Sequence, residues 1–229
     1  MSTTSKITRR NILQVGLGAA AGVVTGTLFA QSSSVEAACA TPAQTEGPFY
    51  PVRDQADKDL DLTHIQGHKS RAQGQVIYVS GLVLDDHYKP IANALVDVWQ
   101  ANKHGRYAHE EDPNPAPLDE HFQGWGQIKT DEQGHYSFKT IVPGAYPVNE
   151  EWWRPPHVHF KVSKRGYHEL TTQMYFPDQE LNDKDAILLD TPEIDRGKLI
   201  LALSDSMAND EAGSKRGLFN IMLRQVRKG

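Results

Sequence analysis

Two histidines one residue apart, His157-Val158-His159, form the first chemistry-bearing pattern in the chain. Along an extended strand residues i and i+2 face the same side. Both imidazoles would then share one face, close enough to chelate a single cation, while Val158, Phe160 and Val162 face the other. Taken alone, the pair equally fits two surface histidines on a half-exposed strand. Two tyrosines lie upstream: Tyr146, in Pro143-Gly144-Ala145-Tyr146, and Tyr107, in Gly105-Arg106-Tyr107-Ala108-His109. Tyrosinate is a hard anionic oxygen donor that suits a hard cation such as Fe(III). Such a cation also acidifies the phenol it binds. Each tyrosine by itself equally fits packing in a core. Cys39 is the single cysteine, which excludes an intramolecular disulfide, a cysteine-based zinc site and an iron–sulfur cluster. A bound metal therefore has to sit on His, Tyr or carboxylate ligands.

The elements that must hold these residues read as β-structure. From about residue 75 apolar positions alternate along Gln75 to Leu84, Ala94 to Trp99, Tyr136 to Phe138, His157 to Val162 and Leu170 to Phe176, with Lys198 to Leu203 completing the set. Turn signals at residues 85–90, 131–134 and 143–144 separate them. Short strands at this spacing predict an all-β fold, an antiparallel β-sandwich. Residues 41–74 and 104–124 read as long loops, which in an ordered domain are often functional. Little helix is expected beyond a short one over Asp183 to Leu189. Pro155 and Pro156, which lack N–H donors, suit the start of a strand or a sheet edge.

The 229 residues suit one domain with a short extension. With 24 Lys+Arg against 29 Asp+Glu the formal net charge is −5. That argues against a nucleic-acid partner, which a protein attracts with a basic face. Residues 1–40 read differently from the rest: Lys6, Arg9 and Arg10, then an uncharged stretch from Val15 to Ala30, then small residues to Ala40. This is the layout of a cleaved export signal. At 16 residues the apolar stretch is short for a membrane span, so none is expected after signal removal. Thr8-Arg9-Arg10-Asn11-Ile12-Leu13 resembles a twin-arginine signal, with a general secretory signal as the alternative. Glu36 argues against lipidation at Cys39. Twin-arginine export carries folded proteins, which suits a metal loaded before passage to the periplasm or outside. Residues 41–229 are then a single catalytic domain.

Taken together, Gly105-Arg106-Tyr107, Pro143-Gly144-Ala145-Tyr146-Pro147 and Trp153-Arg154-Pro155-Pro156-His157-Val158-His159-Phe160 resemble the intradiol ring-cleavage dioxygenases, and most nearly the protocatechuate 3,4-dioxygenase branch. Thr45-Glu46-Gly47-Pro48-Phe49-Tyr50 and Thr171-Thr172-Gln173-Met174-Tyr175-Phe176 extend the likeness. The resemblance implies a non-haem Fe(III) held by Tyr107, Tyr146, His157 and His159. It implies Tyr146 and His157 as axial ligands, with Tyr107 and His159 equatorial beside a hydroxide. It places Arg154 and Gln173 in the catalytic machinery and Gly47 and Pro48 in the substrate pocket. The implied reaction uses O2 to open a catechol-type, protocatechuate-like ring to a cis,cis-muconate-type diacid. In it Tyr146 accepts a substrate proton, and Arg154 stabilises charge developing on the ring. Val148 departs from the aromatic residue that protocatechuate enzymes often carry there. The helical N-terminal domain of the catechol and hydroxyquinol branches is not expected here. The family often assembles from several chains, so a homo-oligomer is allowed.

Two other readings compete. Residues 81–98 and 130–138 also resemble transthyretin-like or carboxypeptidase-regulatory-like modules, which bind or scaffold without turnover, and fold alone does not separate these from an enzyme. A cupin-type site also uses His-x-His, but expects a glutamate soon after it. Here Lys161, Val162, Ser163 and Lys164 follow.

Overall fold

Strand-forming alternation becomes two facing sheets in the computed structural model, which describes residues 40–55 and 57–227. The expected export signal, including Cys39, falls outside the described residues apart from Ala40. Eleven strands are described: β1 (Val76–Asp85), β2 (Leu95–Trp99), β3 (Trp125–Lys129), β4 (His135–Ile141), β5 (Tyr146–Pro147), β6 (Trp153–Arg154), β7 (His157–Ser163), β8 (Leu170–Tyr175), β9 (Ala202–Asp205), β10 (Lys215–Leu218) and β11 (Ile221–Leu223). Two short helices, α1 (Ala186–Asp190) and α2 (Glu193–Arg196), follow β8.

One sheet runs β3-β2-β7-β8, antiparallel throughout. The other is mixed, which departs from a wholly antiparallel sandwich. β4 pairs antiparallel with one side of β1. β10 and β11 pair in parallel with Ile77–Ser80 and Val83–Asp85 of β1, so they lie end to end along its other side, and β9 edges β10. The reason lies in the chain's return. After α2 it comes back in the direction of β1, and main-chain donors of β1 are satisfied whichever way the partner runs.

The core forms where the sheets face each other. Val79 and Val83 of β1, Phe138 of β4, Val96 and Val98 of β2, and Val158, Phe160 and Val162 of β7 are all 3% exposed or less. The Phe160 ring lies 5.9 Å from Phe138, 6.1 Å from Tyr136 and 5.1 Å from Phe219, tying the two layers together. The alternation of β7 thus has the physical cause expected: one face fills the core, and the other is left for His157 and His159. β7 is not an edge. Pro155 and Pro156 precede its first residue, and both flanks are paired.

The strand expected over Lys198 to Leu203 is displaced. Gly197–Leu199 is a 3-10 turn and β9 begins at Ala202. Leu199 and Leu201 do bury their side chains, so the alternation reported burial there, while Ile200 makes only an isolated bridge to Tyr175. The expected helix forms one turn later than its signal. A 3-10 turn over Glu180–Lys184 precedes α1, whose N-cap Asp185 accepts a hydrogen bond from the Leu188 amide.

Candidate active site

The outer face of the β3-β2-β7-β8 sheet carries the chemistry. Pairing aligns Trp125, Trp99, His159 and Gln173 across the four strands, and sets His157 opposite Tyr175. Both histidines are 2% exposed, which removes the surface-histidine reading. Trp99 lies flat on His159, with ring centroids 4.7 Å apart and planes 9° apart, fixing the imidazole by stacking. The His157 Nδ1 lies 2.7 Å from the Pro155 carbonyl oxygen. A carbonyl accepts, so Nδ1 carries the proton and Nε2 keeps its lone pair for the interior of the site.

The tyrosines arrive on two loops that touch backbone to backbone. Asn102 ends the run out of β2; its side-chain oxygen accepts from the amides of His104 and Arg106, and its amide donates to the Pro117 carbonyl. The Tyr107 amide is held by Asp112 Oδ2 at 2.7 Å. Gly105 takes a φ of +77°, and a Cβ there would lie 2.3 Å from the Ala145 carbonyl oxygen. A Cβ on Gly144 would lie 2.5 Å from both the Gly105 nitrogen and the Lys103 oxygen. The two glycines of the tyrosine motifs therefore permit the contact that sets the Tyr107 and Tyr146 rings edge to face at 5.6 Å.

Four donors converge. His157 Nε2 and His159 Nε2 are 3.2 Å apart, and the Tyr107 hydroxyl lies 3.4 Å and 3.1 Å from them. Tyr146 packs against Tyr107 and His157. Burial, and after it the Arg154 charge, push both imidazoles down, His159 to about 3. They are neutral lone-pair donors at ordinary pH. Burial pushes both phenols up, so in the bare protein they keep their protons, and a nearby cation is needed to release them. Ligands of a first-row metal with bonds of about 2.0–2.1 Å stand roughly 2.9–3.4 Å apart. The separations here match that spacing, and His159 Nδ1 is buried with no hydrogen-bond partner. Among the described residues no three His, Cys, Asp or Glu gather; the cluster depends on its tyrosines.

Arg154 stands beside this cluster, opposite Tyr146 in the β5–β6 ribbon. It is buried and fully engaged on one side. Nε donates to Asp185 Oδ1 at 2.8 Å, and Nη2 donates to Gln173 Oε1 at 2.6 Å and approaches the Tyr175 hydroxyl at 3.3 Å. Gln173 Nε2 donates to the Thr45 carbonyl at 3.0 Å, so this glutamine links Arg154 to the loop that carries Gly47 and Pro48. The sequence reading missed Asp185, Tyr175 and the stacking role of Trp99. Asp185 had one signal, its place as an N-cap before Ala186-Ile187-Leu188-Leu189. With no exposure, it accepts from Arg154, Trp152 and the Leu188 amide. Asp185→Asn keeps the shape, removes the charge and leaves the guanidinium short of an acceptor. A urea melt should show a loss of about 2–3 kcal/mol, the scale of hydrogen bonds to buried charged groups. A midpoint equal to that of the parent protein would refute this account of Asp185.

Above the cluster opens a cavity of about 790 Å3, with His159, Tyr146 and Arg154 among its lining. Gly47 and Pro48 line it too, and a Cβ on Gly47 would meet His159 Cε1 at 3.5 Å. Val148 is on the same wall. All eight residues singled out from sequence thus lie at one site.

A β-sandwich whose outer sheet face bears such a cluster under an apolar cavity corresponds to a known class of enzyme. Residues 45–225 match the Dioxygenase_C family of dioxygenases. Over 181 residues the chain is 43% identical to the protocatechuate 3,4-dioxygenase beta chain of Burkholderia cepacia, covering 77% of this chain and 76% of that one. It is 35% identical over 151 residues to catechol 1,2-dioxygenase 2 of Acinetobacter lwoffii, covering 58% of this chain and half of that one. Among solved structures, the dioxygenase domain of a dioxygenase carbohydrate-binding protein fusion from Streptomyces sp. SirexAA-E superposes with a TM-score of 0.60 at 28% identity, covering 82% of this chain and 99% of that one. The 3-chlorocatechol 1,2-dioxygenase of Rhodococcus opacus 1CP gives 0.64 at 25%, covering 86% and 78%. The class is that of the intradiol ring-cleavage dioxygenases, oxidoreductases by reaction type. The chain belongs to the dioxygenase family.

Proposed function

We propose that this enzyme opens a catechol-type ring between its two hydroxyl-bearing carbons, consuming O2 and yielding a cis,cis-muconate-type diacid, with a non-haem ferric ion held by Tyr107, Tyr146, His157 and His159. The observation that supports it is the convergence of Tyr107, His157 and His159 at 3.1–3.4 Å beneath a cavity, with the Tyr146 ring packed against Tyr107 and His157. Two neutral imidazoles and two phenols suit a hard trivalent cation, whose charge two tyrosinates would partly neutralise. A binding module of transthyretin type has no use for such a set. When bound, ferric iron supplies a Lewis acid for the catechol oxygens and an electron acceptor that opens the ring to O2.

The chain's own residues supply the rest. Tyr146 is the phenol nearest the cavity and is placed to accept a substrate hydroxyl proton on its oxygen. Arg154, held rigid by Asp185 and Gln173, faces the same space with a fixed positive charge and stabilises negative charge developing on the ring. Gly47 brings backbone close to His159, and with Pro48 it lines the space left for a flat ring.

Oxygen uptake by the iron-loaded protein with catechol, followed by product identification, tests the reading. A muconate-type diacid is expected; a yellow semialdehyde, from cleavage beside the hydroxyls, would overturn it. We further propose export of the folded protein through residues 1–40. Arg9→Lys with Arg10→Lys should hold the protein in the cytoplasm on fractionation, and unimpaired export would point to the general secretory route. A homo-oligomer is compatible with the family. Among the described residues no helix is long and apolar enough to cross a membrane.

A further inference from the structure

The cavity over the cluster is larger and differently charged than a single dihydroxybenzoate requires. At about 790 Å3 it falls in the range of sites that hold whole drug-sized ligands, roughly 300–1,000 Å3. Its walls include Pro48, Phe49, Pro115, Val148, Trp153 and Ile187. Val148 and Trp153 are about half exposed, at 49% and 47%, so they present apolar surface to whatever occupies the space.

Three lining residues carry charge: Asp112, Glu150 and Arg154. The guanidinium of Arg154 is already paired with the fully buried Asp185 and donates to Gln173. Asp112 faces the cavity from the tyrosine loop, where its two oxygens accept from the Tyr107 and Asn114 amides. Glu150 is exposed in the turn between β5 and β6. An anionic ring substituent entering here would meet two carboxylates against a single guanidinium, and that guanidinium is already paired with Asp185. In a space walled by apolar side chains its charge would also be costly to desolvate.

From this we infer that the enzyme takes catechols carrying an uncharged, apolar or aromatic ring substituent, and that Glu150 discriminates against ring carboxylates. This rests on the ring-cleavage reading above and narrows its substrate from protocatechuate-like to neutral substituted catechols. Discrimination here comes from a repulsive element as much as from an attractive one.

The test compares two ligands of nearly equal shape that differ in charge, 3,4-dihydroxybenzamide and 3,4-dihydroxybenzoate. Binding is measured by titration calorimetry with the iron-loaded protein under nitrogen, and oxygen uptake is measured separately in air. The amide should bind about tenfold more tightly than the acid, the scale of one like-charge repulsion in a partly shielded site. Glu150→Gln should narrow that ratio and Glu150→Lys should invert it. Equal or tighter binding of the acid, or no binding of either ligand, overturns the inference even if oxygen uptake with catechol succeeds. A ratio unmoved by both Glu150 variants overturns the role given to that residue. If the amide binds preferentially while no catechol consumes oxygen, the ring-cleavage reading fails and the charge discrimination stands.

Discussion

His157→Ala should empty the proposed metal centre and lower turnover by roughly 10^3-fold or more, as when one member of a set that acts as a unit is removed. The side chain has one structural tie, from Nδ1 to the Pro155 carbonyl, and its Nε2 points into the donor cluster. Alanine removes that lone pair and leaves no replacement, because the site is closed on that side by Tyr146 and Tyr175. The strand itself should survive. β7 is paired along both flanks, and its core face of Val158, Phe160 and Val162 is untouched. The measurement is metal content by atomic absorption beside the visible spectrum, where tyrosinate bound to ferric iron absorbs and the loaded protein should look reddish. Stoichiometric iron with the same band and near-normal turnover in the variant would remove His157 from the ligand set.

Gly144→Ala should be at least as damaging, by a different route. The added Cβ would stand 2.5 Å from the Gly105 nitrogen and the Lys103 oxygen and 2.9 Å from the His104 carbonyl carbon. All three are backbone atoms and none can swing aside. The loops must part, which breaks the bond from the Gly144 amide to the Asn102 carbonyl and moves Tyr107 away from Tyr146. Overpacking of this kind costs about 1–3 kcal/mol and sometimes more. Displacing one ligand also removes metal and activity. The comparison is Gly197→Ala, where a Cβ meets nothing within 4 Å, so its melting temperature should stay close to that of the parent. Equal melting temperatures and equal iron content for the two variants would contradict the close-approach argument.

These expectations bear on what could be read from sequence. The period-2 alternation through β7 identified the core face and the site face together, because one strand had to satisfy both. The glycines beside the tyrosines were visible as motif letters, while their purpose emerged from the contact between residues 103–105 and 144–145. Other features depend on register and long-range packing. Trp99 stacks on His159 because β2 and β7 pair with those residues opposite, and local pattern does not encode which pair of strands will meet. Asp185 reaches Arg154 across 31 positions, so its local signal spoke of a helix cap and was silent on the guanidinium. β10 and β11 went unread because Lys215-Arg216-Gly217-Leu218 and the following Phe219-Asn220 break the alternation. They are strands because β1 offers them a side, whatever their own propensity.

The parallel docking of β10 and β11 against β1 also sets a timetable for synthesis. Residues 76–85 leave the ribosome early, yet one of their two flanks is filled by residues 215–223, and the Leu82 amide waits for the Asn220 side chain 138 positions later. Until then β1 presents an open edge of the kind that recruits other strands. Ring closure over so long a separation is slow. The sandwich therefore cannot be completed domain-end first as the chain emerges, and final closure must await the arrival of residues 215–223. Any chaperone that attends this protein before that moment has its natural target in the unfilled side of β1.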